Sequence, residues 1–465
     1  MKEWSEVEAS IGRLKLDPHR LACGCAVKLD LQRVVYPALR AIRPELEALG
    51  LRLARREDAD IFPRSAELSF ERRIYRFDAQ QVVPLAPGDE RRAVTVSSVY
   101  RPQSARELAR RWLAFYRALL AQGAGLQIGK GHTIEAYTPD DEFVHFDFYR
   151  SAGAARPGWQ VANNDTIQLI DPTRELGAPE QSEVALSNAL NDLFSLGAVE
   201  DIQVYPFYAA PSGSLAAQIA ENMSNFCRKY GFVYHRQEPI SESTLLIGAT
   251  VFGASSRQLP TFYDRILQGD LILVHRSFGD LAPINLLIEQ LMTGDGTGHS
   301  LGRSRVELQR AVDEHIAVMR RPNLDVGRLI QRFSPEMGEP FAAERHIKAT
   351  TDISGPGVDV FRELAERVGR DVVLERLPLS NEALVRESSE NFLLPNGTAG
   401  TNGALALIGA PALIERLGTE LEVLGHQPQI IGRLGGPGGA LVLPPEAKHY
   451  IADWPEVYRL IDGSS

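Results

Sequence analysis

The sequence predicts a chain of α/β or α+β class, with helices and strands mixed throughout. Three observations carry this. Helix-period stretches with recognisable start and stop residues alternate with short apolar runs rich in β-branched residues. No internal period points to a repeat architecture. And 465 residues with about 44% apolar content are enough for two or three domains with real cores.

The first candidate helix, QRVVYPALRAIRPELEAL, is interrupted by Pro37 and Pro44. SARELARRWLAFYRALLAQG, residues 104 to 123, is an amphipathic helix with Ser104 as N-cap, Glu107 completing a capping box and Gly123 as stop. EVALSNALNDLFSLGA is a third helix, and SLAAQIAENMSNFCRKYG a fourth that ends at Gly231. TLLIGATVFG and DLILVHRSFG read as strands, and GVDVFRELAERVG as a helix stopped by Gly369. RLGGPGGALVLPPEA reads as a glycine turn feeding a short buried strand. The text at 150 to 158 is loop-like, and 292 to 304 reads as a mobile loop. A domain boundary near residue 240 follows, where helical text gives way to strands, giving 1–240 and 241–465.

Composition excludes several classes. Net charge is −10, without the clustered Lys and Arg of a nucleic-acid footprint. Such acidity suits a protein that gathers divalent cations. The start, MKEWSEVEAS, lacks the charged and apolar regions of a secretory signal, and no run of about 20 apolar residues predicts a membrane span. Three cysteines cannot build a disulfide framework, so a cytoplasmic location is expected.

Two of those cysteines lie together in LACGCAVKLD, with Lys28 three positions past Cys25. Chance on a loop, half of a metal site, a buried apolar thiol and a nucleophile beside a cation are the readings. A four-cysteine zinc site is impossible, and no spaced histidine pair completes a mixed one. Elsewhere, carboxylates and amides recur at element junctions: Glu57, Asp58 and Asp60; Asn163, Asn164 and Asp165; Asn188 and Asp192; Asp352 before a Gly-Pro-Gly turn. Each can be an ordinary cap. Asn188 and Asp192, four apart on one helical face among Leu186, Ala189, Leu190, Leu193 and Phe194, are harder to dismiss, because an unpaired buried Asp is costly. A metal or phosphate partner would explain them, and oxygen-only ligands favour Mg²⁺. Two glycine-rich stretches, 394 to 405 and 433 to 442, could hold phosphates by backbone N–H groups, or be plain turns.

Taken in order, these pieces resemble selenophosphate synthetase, within the superfamily of aminoimidazole ribonucleotide synthetase and thiamine-phosphate kinase. The family's Cys-x-x-Lys is Cys25-Ala-Val-Lys28. Its Asp-Asp-Ala strand start is matched by Glu57-Asp58-Ala59, and its Thr-Thr-Asp segment by Asn163-Asn164-Asp165. Its Asn-Ala-x-Ser-Asp helix is matched by NALNDLFSLG, its Gly-Asp-x-Leu-Ile-Leu strand by GDLILVHRSFG, and its Thr-Asp-x-Thr-Gly-x-Gly signature by TDISGPG. Its late glycine segment, Gly-Gly-Thr-x-x-Asn, is similar to NGTAGTN.

The resemblance implies an α+β fold of two aminoimidazole ribonucleotide synthetase-like domains. The first would be a mixed sheet with helices that forms a barrel in a homodimer, the second an α/β sandwich. It implies synthesis of selenophosphate, AMP and phosphate from ATP, selenide and water. Cys25 and Lys28 would be catalytic. Asp58, Asp165, Asp192 and Asp352 would hold Mg²⁺ on the triphosphate. Asn188, Gly397, Thr398 and Asn402 would contact the nucleotide. A thiolate near a lysine is a soft nucleophile or ligand, which suits selenide.

The departures are specific. More than a hundred residues separate Glu57-Asp58 from Asp165, with an insertion at about 70–150 where the family has a short hairpin. The family's Gly-Gly-His segment is replaced by YHRQEP, and its terminal Asp-Pro-Gln-Thr-Ser-Gly-Gly survives only as GGPGG. Two rivals stay open: an ATP-dependent phosphotransferase with another acceptor, such as thiophosphate formation or a small metabolite, and a non-catalytic nucleotide-binding paralogue.

Overall fold

A computed structural model describes residues 3–16, 158–239, 245–293, 303–390 and 396–451, with short pieces between 40 and 53 and between 127 and 150. Cys23, Cys25, Lys28, Asp58 and the helix expected at 104 to 123 lie outside the described residues.

Two antiparallel-dominated mixed sheets carry the fold. The first is formed by β1 (Phe148–Arg150), β2 (Trp159–Ile167), β3 (Glu200–Pro206), β4 (Val233–Tyr234) and β5 (Ile247–Ser255), in the order β1-β2-β5-β3-β4. The strand after residue 240 therefore lies in the middle of the same sheet as Trp159–Ile167. The second is formed by β6 (Leu271–Val274), β7 (Ala349–Ile353), β8 (Arg370–Leu374), β9 (Ala404–Gly409), β10 (Gln429–Pro437) and β11 (Leu441–Val442), in the order β7-β9-β6-β10-β8-β11. A small three-stranded sheet joins Arg52–Leu53, Gln127–Ile128 and Ile134–Glu135. Sheets and helices are segregated rather than alternating in parallel units, so the fold is α+β.

The helices follow from local chemistry. α1 is Trp4–Gly12, and its Val7 and Ile11 are fully buried. α2 (Pro179–Ser195) starts with Pro at its first position, where the missing N–H costs nothing, and carries Glu180 in the first turn. It buries Val184, Leu186, Leu190 and Phe194, and also Gln181, Asn188 and Asn191. α3 (Gly213–Tyr230) ends at Gly231, as its sequence predicts, and is capped by Ser212. α4 (Ala282–Thr293) follows β6. α5 (Arg305–Met319) opens with a full capping box from Ser304 and Glu307. α6 is Leu324–Arg332, α7 is Val360–Val368, α8 is Glu382–Glu390 and α9 is Pro411–Val423. The loop expected over 292–304 begins inside α4, and its last residue is the N-cap of α5.

One apolar cluster joins the first sheet, α1, α2, α3, α5, α6 and α9. A second lies between the six-stranded sheet and α7, around Phe361, Ile272 and Ile353. α2 borders both sheets, which places its polar face where they meet. No helix among the described residues is long and apolar enough to cross a membrane.

Near the C-terminus one of two open readings is settled and one expectation is corrected. GGPGG is not an open phosphate loop: β10 runs through it to Pro437, and the turn beyond wraps the Asp371 carboxylate. Gly439 N and Ala440 N both donate to Asp371 Oδ1 at 3.0 Å, and these bonds hold that carboxyl below the usual range. A Cβ on Gly438 would lie 2.0 Å from the same oxygen. The backbone amides already have their anion. The strand that follows, β11, is not buried, since Val442 is 44% exposed at the sheet edge.

Candidate active site

Three carboxylates from separate segments lie around α2, Asp165 and Asp352 near enough for their charges to interact. Asp165 lies near the end of β2, Asp192 on α2 and Asp352 near the end of β7. Each accepts a hydrogen bond from a different asparagine. Asn188 Nδ2 donates to Asp165 Oδ2 at 2.7 Å, and Asn163 Nδ2 to Asp192 Oδ2 at 2.5 Å. Asn191 Nδ2 donates to Asp352 Oδ2 at 3.4 Å. Strand period places Asn163 and Asp165 on one face of β2, toward the helix. Helix period places Asn188, Asn191 and Asp192 on one face of α2.

The electrostatics are those of crowded negative charge. Asp352 keeps part of its surface exposed, yet protein packs densely around its carboxyl. Burial pushes that carboxyl up. Hydrogen bonds from Ser354 and Asn191 pull it down, and the charge of Asp165 pushes it up again, for a net rise. Asp165 also accepts from the N–H of Thr166 at 2.6 Å.

This donor set fits a hard divalent cation. All three carboxylates supply oxygen, and Asn163 Oδ1 is buried with no hydrogen-bond partner. Among the described residues, no three His, Cys, Asp or Glu side chains converge enough to hold an ion alone. Mg²⁺ commonly takes one or two carboxylates and completes its shell with water and substrate phosphates, so this is no obstacle.

The glycine segment at 396–403 packs beside Asp352. Thr398 Oγ1 accepts from Val358 N at 3.0 Å, and Gly397 N donates to Tyr450 O at 2.7 Å. Gly357, at φ +58°, has no room for a Cβ, which would lie 2.2 Å from Thr398 Oγ1. A Cβ on Gly403 would lie 2.4 Å from Ile353 O. Asn402 is fully buried, and its amide donates to Met319 O at 2.9 Å and Arg321 O at 2.6 Å. Arg276 closes the far side, bonded to Asp280 Oδ2 at 2.9 Å and to Asn402 O at 2.5 Å.

Of the residues singled out in the sequence, Asn188 bonds Asp165, while Asp192 and Asp352 lie at the same face of α2, bonded to Asn163 and Asn191. Asn402 adjoins them through other asparagines. Gly397 and Thr398 form the neighbouring turn, with their polar groups engaged by the protein. Sequence reasoning missed Asn191 and Asn323. Asn191 lies inside the recognised NALND segment, in a position that reads as helix interior. Asn323 reads as an N-cap.

No family model and no curated protein matches the chain. Thiamine-monophosphate kinase from Stenotrophomonas maltophilia is a similar solved structure: 15% identity, 72% of this chain and 96% of that one covered, TM-score 0.47. For the Aquifex aeolicus thiamine monophosphate kinase the values are 17%, 63%, 90% and 0.44. For the Escherichia coli hydrogenase maturation protein HypE they are 16%, 61%, 82% and 0.40.

Proposed function

We propose that this chain is an ATP-dependent phosphotransferase whose Asp165, Asp192 and Asp352 hold Mg²⁺ against the nucleotide's phosphates, with Asp58 completing the set. The observation that supports this most is that three carboxylates from separate segments around α2 are each held by an asparagine amide. The repulsion between Asp165 and Asp352 suits a site that meets a cation. Bound Mg²⁺ would neutralise phosphate charge and align the transferred group. Asn163, Asn188 and Asn191 orient the carboxylates.

Within that class we propose selenide as the acceptor: ATP, selenide and water give selenophosphate, AMP and phosphate. This finer reading rests on Cys25 and Lys28, at the spacing of the family that the sequence resembles. Asn188, Gly397, Thr398 and Asn402 border the nucleotide in this reading, and the working form is a homodimer. A second reading, the same phosphoryl chemistry on another acceptor, is favoured by the insertion between Asp58 and Asp165, which has the length to reshape an acceptor pocket.

The test is an anaerobic assay with ATP and Mg²⁺, with and without selenide, on wild type and Cys25→Ser, followed by phosphorus NMR. A selenide-dependent phosphorus–selenium species and AMP, both lost in the variant, would support the proposal. ATP turnover indifferent to selenide or to the substitution would sink the selenium reading and keep the phosphotransferase. No ATP turnover would favour a binding paralogue.

A further inference from the structure

Asn323 is the N-cap residue of α6, yet its side chain makes no capping bond. An asparagine at an N-cap ordinarily accepts from the first turn, a bond worth about 1 kcal/mol. Here the side chain is buried and turned inward. Its Nδ2 donates to Asn191 Oδ1 at 2.7 Å and to Gly403 O at 3.0 Å, and reaches Asn402 Oδ1 at 3.4 Å.

The direction of these bonds is fixed from one end. Asn402 donates to the backbone carbonyls of Met319 and Arg321, which can only accept. Its Oδ1 must therefore face Asn323. The two hydrogens of Asn323 Nδ2 are shared among that oxygen, the Gly403 carbonyl and Asn191 Oδ1, all of which accept. Asn191 is left with its Nδ2 toward Asp352 Oδ2 and Gly403 O. An Asn191 amide without these partners could turn its donor away from the carboxylate. In this chain only the donor end is available.

We propose that Asn402, Asn323 and Asn191 form a one-way chain of amide hydrogen bonds that holds a donor toward the Asp352 carboxylate, making Asn323 a positioning residue for the cation that Asp352 binds. The proposal rests on the cation reading above. It joins three segments that the sequence separates: α2, the start of α6 and the glycine turn before β9. It also explains an uncapped N-cap and two buried asparagines by one function.

The test uses Mn²⁺ as probe, with binding to the full chain followed by electron paramagnetic resonance and melting recorded in parallel. Asn323→Asp replaces the donor by an acceptor, so Asn191 must rotate to donate to it and turns its carbonyl oxygen on Asp352. Asn323→Ala removes the donor and leaves Asn191 free. Loss of an outer-shell partner typically costs about 10- to 100-fold in metal affinity, and Asn323→Asp is expected in that range, with Asn323→Ala about threefold down. In an Asn191→Leu background either change should alter affinity by less than about twofold, since Asn323 acts through Asn191. That pattern, independent of the order of melting temperatures, supports the proposal. Wild-type binding with unchanged affinity in both variants overturns it and leaves the cation reading standing. Affinity that merely follows the melting temperatures also overturns it. If Asn323→Asp fails to fold, the Asn191→Leu and Asn323→Ala cycle decides: non-additive losses support the chain, additive ones refute it. No Mn²⁺ binding by wild type overturns both readings.

Discussion

Lys348 and Asp270 form an ion pair inside the six-stranded sheet, and replacing Lys348 by Met tests what holds the strand that carries Asp352. Lys348 Nζ donates to both carboxylate oxygens of Asp270, at 2.8 and 2.7 Å, with both residues nearly inaccessible to solvent. Lys348 immediately precedes β7 and Asp270 precedes β6. Both strands run antiparallel to β9, which lies between them, so the pair ties two parallel strand starts across a third. Lys348→Met keeps the stem's packing but leaves a carboxylate buried without its cation. Breaking a buried pair in this way costs about 3–5 kcal/mol. Asp270 keeps one bond, from Leu267 N at 2.6 Å, which places the expected loss at the low end, about 3 kcal/mol. At about 2–4 °C per kcal/mol the melting transition should fall by about 6–12 °C. Adding Asp270→Asn removes the stranded charge while an amide oxygen can still accept from Leu267, so the double variant should recover most of the loss. Thermal melts of wild type, single and double variants measure this. A single variant within about 1 kcal/mol of wild type, or a double variant no better than the single, would refute the reasoning.

Other outcomes follow from the same structure. His275 is fully buried and accepts from Leu405 N through Nδ1; burial above all, then the Arg276 charge, holds its pKa well below the usual value. A depressed histidine contributes stability that is complete above the unfolded pKa of about 6.5 and is lost as pH falls below it, at up to about 1.4 kcal/mol per pH unit. The melting temperature of wild type relative to His275→Gln should therefore be level above pH 7 and decline below 6.5, and an unchanged difference down to pH 5 would count against it. Cys227 is fully buried, and burial pushes its thiol up to about 12, so a maleimide should label it only after denaturation. Native labelling then reports on Cys23 and Cys25 alone, read by peptide mass. Asp192→Asn should cut Mg²⁺-dependent ATP turnover at least about 100-fold while the melting temperature moves by only a few degrees, because Asn163 keeps an oxygen acceptor there. Turnover within threefold of wild type would remove Asp192 from the cation's ligands.

Much of the site was legible because it is written in local text. The α2 pattern, with Asn188 and Asp192 four apart among apolar residues, announced a buried helix with an expensive polar face. Asp352 stood out only through the ordered resemblance, since nothing local marks TDISGPG as more than a strand and a turn. α5 was readable from Ser304 and Glu307 but was submerged in a loop of glycines. Asn323 was beyond reach. Its type and position match an N-cap, and only the long-range packing of α6 against α2 turns its amide away from the helix. Glycine content left 435–440 undecided for a related reason. A run of glycines predicts free backbone amides, but not which anion they meet, and Asp371, two strands away in the sequence, arrives through the pairing of β8 with β10.

That contrast bears on where a phosphate can go. Both glycine turns lie at the ends of strands in the same sheet, and at 397–400 the backbone N–H groups already donate to Tyr450, Asn396 and Ser354. At β10 an internal carboxylate accepts those bonds, and the turn closes on itself. At 396–403 the side chains of Asn396, Thr398 and Asn402 bind other parts of the protein, and the Asp352 carboxyl, pushed up by burial and by the Asp165 charge, stands beside the turn. A carboxylate raised in this way gains most from a cation, because the cation removes the repulsion and the desolvation cost together. The sheet thus carries one glycine turn that wraps an internal carboxylate, and one whose amides the protein also satisfies, beside the mutually repelling Asp165 and Asp352 carboxylates.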